Sequence, residues 1–214
     1  MNTVLYFKIN KIWGDEVFKQ QFSLLPHKLQ QKIGTYKSKH DQQLRICGKL
    51  MLYQLMSDFE LTPEYGLNDI EYDYFNKPFI NENFNFSIAH SEDFVVCAAA
   101  SKKSIGIDIE KIKPRDILLL KEYFTKEEWL FLEERKYNLE YFYYLWTRKE
   151  AVLKAIGKGI YEEMQQVPVL KNEIIYNRQS YYIYDITIDT NYKIAVACNI
   201  KDIFEVKEFN IIGI

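Results

Sequence analysis

The chain has 214 residues, of which 48% are hydrophobic, and its 28 Lys and Arg residues nearly balance 30 Asp and Glu residues. This length suits one large folding unit or two small ones. The net charge of -2 excludes a general attraction to nucleic acid or to an anionic membrane, so an anionic ligand requires a local cluster of basic side chains.

Two similar series of elements follow one another along the chain. Each is predicted from the spacing of apolar residues, with Pro26 near the start of the first helix. The first series comprises a strand over residues 3–13, a helix over 24–36, a longer helix over 40–58 and strands over 68–100. The second series comprises a strand over residues 105–112, a helix over 125–136, a longer helix over 140–157 and strands over 173–212.

The repeated order predicts an α+β protein built from two similar, pseudo-symmetric α+β subdomains. We place the N-terminal subdomain at residues 1–103 and the C-terminal subdomain at residues 104–214. Ligand pockets prefer interfaces between such units, so we expect the active site in the cleft between the two subdomains.

The strand that opens the second series carries two acidic side chains on one face. In Ile105-Gly-Ile-Asp-Ile-Glu110, alternation directs the isoleucines to one face and Gly106, Asp108 and Glu110 to the other. Neighbouring carboxylates repel each other unless water or a cation separates them, and a hard cation that binds oxygen resolves the repulsion. The alternative is an ordinary acidic pair on the solvated face of a strand.

The longer helix of the second series adds a third carboxylate and a lysine. Within Trp146-Thr-Arg-Lys-Glu-Ala-Val-Leu-Lys154, the four-residue spacing places Glu150 and Lys154 one turn apart on the same face. Mg²⁺ takes one or two protein carboxylates and completes its shell with water and phosphate oxygens, which a lysine also neutralises. The four side chains together predict a site for magnesium and a phosphate ester, although such Glu–Lys pairs are also common on helix surfaces.

Four further features of the first series supply positive charge or phosphate donors. They are Lys28 with Lys32, Arg45 on the longer helix, the turn Asn76-Lys77-Pro78, and the segment Ser87-Ile-Ala-His90-Ser91. Pro78 holds Lys77 extended, and Asn76 tolerates a positive φ. His90 precedes a polar turn, so its imidazole is accessible and suited to donate a hydrogen bond to phosphate. Each feature alone is also typical of an ordinary turn or surface.

The cysteines and the apolar segments predict the cellular compartment of the protein. Three cysteines without CxxC spacing and three scattered histidines indicate neither disulfides nor a zinc site. The N-terminal residues resemble a short strand and lack the regions of a signal peptide, and no apolar run approaches the roughly 18 residues of a membrane helix. We expect a protein of the reducing cytoplasm without a membrane partner, and two internal halves favour a monomer.

In chain order, these segments resemble the 4′-phosphopantetheinyl transferases, specifically the longer single-chain kind that activates nonribosomal peptide and polyketide synthases. The resemblance covers most of the chain, beginning at Pro26-His-Lys28 and passing through the Asn-Lys-Pro turn and Phe86-Ser-Ile-Ala-His-Ser91. Its most specific part is the pair of segments that carry Asp108 with Glu110 and Glu150 with Lys154, about 40 residues apart.

The resemblance implies an activity and a role for each candidate residue. The protein would transfer the 4′-phosphopantetheine arm of coenzyme A to a serine of an acyl or peptidyl carrier protein and release adenosine 3′,5′-bisphosphate. Asp108, Glu110 and Glu150 would hold Mg²⁺, Glu150 would also be a candidate base, and Lys154 would neutralise the diphosphate. The residues assigned to the nucleotide side of coenzyme A are Lys28, Arg45, Lys77, Pro78, His90 and Ser91.

The resemblance also implies a docking segment and includes departures from the family pattern. The carrier would contact the segment from Lys113 to Tyr123, which contains three consecutive leucines. The family's Phe-Asn-Ile-Ser-His-Ser is Phe-Ser-Ile-Ala-His-Ser here, which changes the side chains at Ser87 and Ala89. Gly-Lys-Pro is replaced by Asn-Lys-Pro, and the second basic residue after Lys28 is replaced by Gln31 beside Lys32. We expect altered coenzyme A binding but retained catalysis, because the acids and Lys154 are intact.

Three hypotheses follow from these residues. The first is an active transferase, which the intact acids favour. The second is a non-catalytic module that binds coenzyme A for regulation, supported only by the changes at Ser87 and Ala89. The third is a magnesium-dependent phosphohydrolase, which rests on the carboxylates alone.

Overall fold

A computed structural model describes residues 2–62, 64–157 and 164–211 of the chain. The α-helices are α1 (Asp15–Ser23), α2 (His27–Gly34), α3 (Lys39–Asp58), α4 (Lys126–Glu134) and α5 (Leu139–Ile156). The strands are β1 (Asn2–Lys8), β2 (Glu71–Tyr72), β3 (Pro78–Phe79), β4 (Phe84–Ser91), β5 (Phe94–Ser101), β6 (Ile105–Lys111), β7 (Glu173–Tyr176), β8 (Gln179–Ile186), β9 (Tyr192–Cys198) and β10 (Glu205–Glu208). Short 3₁₀ helices span Leu67–Asp69, Leu118–Tyr123 and Met164–Gln166.

The first half folds around a four-stranded sheet of order β10-β1-β5-β4, with helices against one face. Strand β5 is antiparallel to both β1 and β4. Its side chains alternate, so Val95, Cys97 and Ala99 pack against the apolar stripes of α2 and α3. A separate hairpin of β2 and β3 projects beside this sheet.

The second half repeats the arrangement with an antiparallel sheet of order β6-β9-β8-β7. Helix α5 lies across β6 and β9, and its apolar face forms a second core with α4 and the strands. The predicted α+β class and the division into two similar parts are therefore confirmed. At the start of α4, Thr125 and Glu128 each accept a hydrogen bond from the other's backbone N–H and so form a capping box.

The two sheets pack together through the faces that their helices leave uncovered. Ile105, Ile107 and Ile109 of β6 contribute one side of this third core, and alternate residues of β5 such as Val96 and Ala98 contribute to the other. The predicted alternation of β6 is thus observed, with the isoleucines buried between the sheets and the acids on the α5 side. This packing places β4 and β6, the edge strands of the two sheets, next to each other.

Two elements differ from the sequence prediction. Helix α1 was not predicted, because its nine residues begin after Gly14 without a side-chain cap and bury only part of one face. Strand β10 lies within the predicted strand region of the second half, but it pairs in parallel with β1 of the first sheet. Pairing between strands about 200 residues apart leaves no local signal in the sequence. The end of that predicted region, residue 212, lies outside the described residues.

One glycine sets the distance between α5 and β6. A side chain on Gly106 would collide with the carbonyl oxygen of Ala151 and the amide nitrogen of Ala155, both in the α5 backbone. Only glycine allows this approach. The close packing brings the Asp108 side of β6 against the turn of α5 that contains Glu150 and Lys154.

The state of the cysteines and the character of the helices can be read directly from the fold. Cys47, Cys97 and Cys198 are all free thiols in buried positions. Across the described ranges, no helix combines the length and the apolar character that crossing a bilayer requires.

Candidate active site

The structure brings the predicted acids and the lysine together where β6 meets α5. Lys154 Nζ lies 2.6 Å from Asp108 Oδ1 and 3.5 Å from Glu150 Oε2. Glu110, two residues along the same face of β6, accepts a hydrogen bond from the Ser91 hydroxyl at 3.0 Å. Segments that are far apart in sequence therefore form one acidic cluster, made of Asp108, Glu110 and Glu150 with Lys154 among them.

Burial and mutual repulsion alter the acid–base behaviour of this acidic cluster. Burial raises the pKa of Asp108; Lys154 opposes the shift, whereas Glu150 and Glu110 add to it. Burial also raises the pKa of Glu110, against the effect of its hydrogen bond from Ser91. For Lys154, desolvation would lower the pKa, but the attraction of Asp108 and Glu150 outweighs it and the pKa is raised. The lysine thus stays charged and holds the neighbouring carboxylates.

The acidic cluster has capacity for a further cation. Three carboxylates face one lysine, and the second oxygen of Asp108, Oδ2, is buried with no hydrogen-bond partner in the described part of the chain. A buried carboxylate oxygen without a partner is costly, so it favours a ligand. Within residues 2–62, 64–157 and 164–211, no group of three or more His, Cys, Asp and Glu side chains is arranged, as it stands, so that it could hold a metal ion. Instead, Lys154 provides the positive charge between Asp108 and Glu150.

A cavity of about 360 Å³ opens beside the acidic cluster, between the two halves. Its wall is rich in positive charge and aromatic rings, and Lys154 belongs both to this wall and to the acidic cluster. The cationic and imidazole side chains that line it are Lys32, Arg45, Lys49, Lys77, His90 and Lys154, with Pro78, Tyr36 and Tyr72 nearby. The cavity therefore suits an extended anionic ligand with an aromatic group.

Arg45 is held in the cavity by stacking. Its guanidinium carbon lies 3.8 Å from the centroid of the Tyr36 ring. Its Nε is buried and has no hydrogen-bond partner among the residues that the structure describes. Lys32 lies over the Tyr72 ring in the same way, at 4.7 Å. Stacking fixes both cations without neutralising them, so they remain able to bind an anion.

Lys77 connects the hairpin of the first half to the second half. Asn76 has a φ of 62°, the left-handed conformation that the sequence predicted for this turn. Lys77 Nζ donates a hydrogen bond to the carbonyl oxygen of Ala155, at 3.0 Å, in the last turn of α5. Burial lowers the pKa of Lys77, so a nearby anion would be a favourable partner.

The candidate residues His90, Lys28 and Ser91 lie in three different environments. His90 lines the cavity, and desolvation, followed by the positive charges of Arg45 and Lys154, lowers the pKa of its imidazole. Lys28 lines a smaller adjoining cavity of about 130 Å³, which Lys32 also borders. Ser91 is buried and its hydroxyl contacts Glu110 and the backbone of Lys111.

Ser87 and Ala89, two of the positions that depart from the family pattern, have separate structural roles. Ser87 Oγ accepts a hydrogen bond from the Ile107 N–H at 3.1 Å, so it joins β4 to β6. Ala89 packs in the core between the two sheets. Its small apolar side chain suits that position, since a buried hydroxyl there would need a partner.

Two lysines near the site, Lys49 and Lys149, were not identified from the sequence. Lys49 lines the cavity one helical turn after Arg45, a spacing that places both on the same face of α3. Lys149, beside Glu150, forms a fully buried ion pair with Glu128 at 2.7 Å. It also donates hydrogen bonds to the carbonyl oxygens of Met164 and Val167. The Lys149–Glu128 pair thus fastens the middle of α5, which carries Glu150, to α4 and to the segment after the helix.

Comparisons with known proteins agree with this geometry. The family model of the 4′-phosphopantetheinyl transferase superfamily matches residues 104–197, and the model of the N-terminal part of 4′-phosphopantetheinyl transferases matches residues 14–102. The chain is 30% identical to 4′-phosphopantetheinyl transferase Sfp of Bacillus subtilis, with 88% of this chain and 91% of that protein covered. It is also 30% identical to 4′-phosphopantetheinyl transferase gsp of Aneurinibacillus migulanus, with 81% and 73% covered.

A mammalian relative is similar over a shorter region. The L-aminoadipate-semialdehyde dehydrogenase-phosphopantetheinyl transferase of Mus musculus is 31% identical, with 64% of this chain and 50% of that protein covered. The chain belongs to the 4′-phosphopantetheinyl transferase superfamily and is an enzyme of this class. Coenzyme A as the donor and a carrier protein as the acceptor are the substrates that the class implies.

Proposed function

We propose that the protein catalyses Mg²⁺-dependent transfer of phosphopantetheine from coenzyme A to a serine of an acyl or peptidyl carrier protein, with release of adenosine 3′,5′-bisphosphate. The observation that carries this proposal is the position of the acidic cluster beside the basic cavity, with Lys154 shared by both. The carriers would belong to nonribosomal peptide or polyketide synthases, and the enzyme would act as a cytoplasmic monomer.

Asp108, Glu110 and Glu150 would hold the magnesium ion. The unpartnered Oδ2 of Asp108 and the excess of negative charge in the acidic cluster support this assignment. When bound, Mg²⁺ supplies neutralisation of the diphosphate and of the charge that develops on the leaving group. With Mg²⁺ bound to the acids, the Lys154 amine would be less tightly paired with them and could contact the diphosphate.

The basic cavity would bind the nucleotide end of coenzyme A. Arg45, Lys77 and His90 line it and would meet the phosphates, with Pro78 shaping the turn that presents Lys77. Lys28 would contribute long-range attraction from the adjoining cavity. Lys32 and Lys49 join this set on the basis of their positions in the wall.

The chemical step would be an in-line displacement at the phosphorus that carries the pantetheine arm. The serine oxygen of the carrier forms a bond to that phosphorus, and the bond to the bridging oxygen of the adenosine 3′,5′-bisphosphate breaks. Glu150 would accept the serine proton directly or through one water. Its place beside Lys154 and next to the cavity supports this role, and the protein mainly positions the two reactants.

The carrier would approach along the segment from Lys113 to Tyr123. Leu118 and Leu119 are 61% and 76% exposed in the 3₁₀ helix of this segment, whereas Leu120 packs against the core of the second half. Exposed leucines beside a basic residue suit an amphipathic partner with an acidic surface. Lys121 is exposed in the same 3₁₀ helix and would contribute that positive charge, whereas Lys113 is exposed but already paired with Glu92 at 2.8 Å.

A mass-shift assay tests the proposed function. The protein is incubated with MgCl₂, coenzyme A and an apo peptidyl carrier domain, and the carrier is weighed by mass spectrometry. We expect a gain equal to one phosphopantetheine arm that EDTA prevents. Tight coenzyme A binding without a gain on several carriers would favour the non-catalytic module, and release of phosphopantetheine to water without carrier would favour the hydrolase.

A further inference from the structure

We propose that Ser91 is a positioning residue that orients Glu110 for metal binding, rather than a contact for coenzyme A. This inference rests on the proposed function, since it presumes a divalent cation at the acidic cluster. Ser91 is the last residue of β4, is 8% exposed, and belongs to the first half of the chain, whereas Glu110 belongs to the second. The metal site would thus depend on a hydroxyl from the opposite half.

The hydrogen bonds around Ser91 fix the direction of its single proton. The backbone N–H of Lys111 donates to Ser91 Oγ at 3.1 Å, and a backbone N–H has no other role than to donate. Ser91 Oγ lies 3.0 Å from Glu110 Oε2, and an ionised carboxylate only accepts. The hydroxyl proton must therefore point at Oε2. A serine with both contacts already made has no proton left for a phosphate.

This contact leaves Glu110 with one oxygen held and one oxygen available. Glu110 is only half-buried and lies near the end of β6, so its long side chain would otherwise sample several rotamers. Arg115 also attracts its carboxylate. The bond from Ser91 holds Oε2 and leaves Oε1 available to the cation, as partners of metal-binding carboxylates commonly do.

Ser87 provides a matched control within the same strand. It lies four residues before Ser91 on β4, is 7% exposed, and its hydroxyl also accepts a backbone N–H of β6, from Ile107 at 3.1 Å. Both serines therefore join the edge strands of the two sheets. They differ because Ser91 touches a carboxylate of the acidic cluster, whereas the contact of Ser87 on β6 is a backbone amide.

The test compares Ser91→Ala, Ser91→Thr and Ser87→Ala in the full-length protein. Mn²⁺ binding is titrated by electron paramagnetic resonance without coenzyme A or carrier, so that neither turnover nor a change in coenzyme A affinity affects the result. We expect Ser91→Ala to weaken Mn²⁺ binding by roughly 10- to 100-fold, the usual effect of losing a partner of a metal ligand. Ser91→Thr keeps the hydroxyl and should restore most of the affinity, and Ser87→Ala should bind Mn²⁺ like the unsubstituted protein.

A second readout separates positioning from general damage. In the transfer assay, Ser91→Ala should need more Mg²⁺ for half-maximal rate and approach the normal rate at saturating Mg²⁺. Equal weakening by Ser87→Ala and Ser91→Ala would overturn the inference, because it would indicate loosening of the two sheets. Unchanged Mn²⁺ affinity in Ser91→Ala, in a protein that transfers the arm normally, would overturn it and leave the proposed function intact. An unsubstituted protein that neither binds Mn²⁺ nor transfers the arm would remove both.

Discussion

Lys154 Nζ lies 2.6 Å from Asp108 Oδ1, although the two residues are 46 positions apart in the chain. The ion pair joins the fourth residue of β6 to the last turn of α5. Gly106 makes it possible, because it lets the helix approach the strand. The lysine neutralises one acid of a cluster that has three. It also borders the cavity, so the same amine lies beside the acids proposed as metal ligands and beside the space proposed for the diphosphate of coenzyme A.

The first prediction concerns Asp108. Asp108→Asn removes one charge and keeps the size of a side chain that is 4% exposed, so the fold should survive. The transfer rate should fall by roughly 100-fold or more, about 3 kcal/mol of transition-state stabilisation, because one of the three proposed metal ligands is lost. Rates at saturating coenzyme A measure the loss, and thermal unfolding checks the fold. Asp58→Asn, on the exposed side of α3, is the control and should retain full activity. Full activity in Asp108→Asn would refute the metal assignment.

The second prediction concerns Arg45. Arg45→Ala should raise the KM for coenzyme A by roughly 10-fold or more and change kcat little, because the residue binds ground state and transition state alike. The matched control is Arg135→Ala, since Arg135 stacks on Phe131 at 3.7 Å as Arg45 stacks on Tyr36 at 3.8 Å. Arg135 is the C-cap residue of α4 and does not line the cavity, so its loss should leave KM unchanged. Equal effects of the two substitutions would exclude a specific role for Arg45.

The third prediction is a proton taken up on binding. The pKa of His90 is lowered below its ordinary value of 6.5 in the free protein, so the imidazole is neutral at pH 7. A bound phosphate would raise that pKa, and binding of coenzyme A near pH 7 should then take up protons. Affinity should increase as the pH falls, until the pKa of the free imidazole is reached.

Titration calorimetry in buffers of different ionisation enthalpy measures this uptake. It should vanish in His90→Gln and persist in His27→Gln, whose side chain is exposed on α2. Proton uptake that survives in His90→Gln would assign the effect to another group.

The fourth prediction concerns stability. Lys149 and Glu128 are both 0% exposed, and Lys149→Met would leave the Glu128 carboxylate buried without its partner. We expect a loss of about 3 to 5 kcal/mol in the free energy of unfolding. Lys39→Met breaks the exposed pair with Asp15 and should cost less than about 1 kcal/mol. Urea denaturation measures both, and adding Glu128→Gln to Lys149→Met should recover part of the loss. Equal stability of the two single variants would show that the buried pair contributes no more than the exposed one.

The sequence was sufficient to predict the elements that carry the acids. Alternation along β6 and the four-residue spacing of Glu150 and Lys154 are local signals, and both appear in the structure as predicted. Their convergence was not a local signal. It was inferred from the shared chemistry of the four side chains and from the resemblance to a family, because contacts between β6 and α5 depend on the packing at Gly106.

Other features depended on contacts that no local pattern encodes. Asp108 was placed on a strand face that is often solvated, yet α5 covers it and burial raises its pKa. The resemblance assigned Ser91 to coenzyme A, and no local pattern indicated that its hydroxyl lies beside Glu110 on β6. The ion pair of Glu128 with Lys149 joins α4 to α5, and no local pattern in the sequence indicates it.

The most direct test of the central claim is a crystal structure of the protein grown with coenzyme A and Mn²⁺, with anomalous data collected to locate the metal. We expect one strong anomalous peak within coordination distance of Asp108, Glu110 and Glu150, in contact with the diphosphate, while the nucleotide end occupies the cavity beside Arg45. A peak bound away from these carboxylates, or coenzyme A bound outside that cavity, would contradict the central claim.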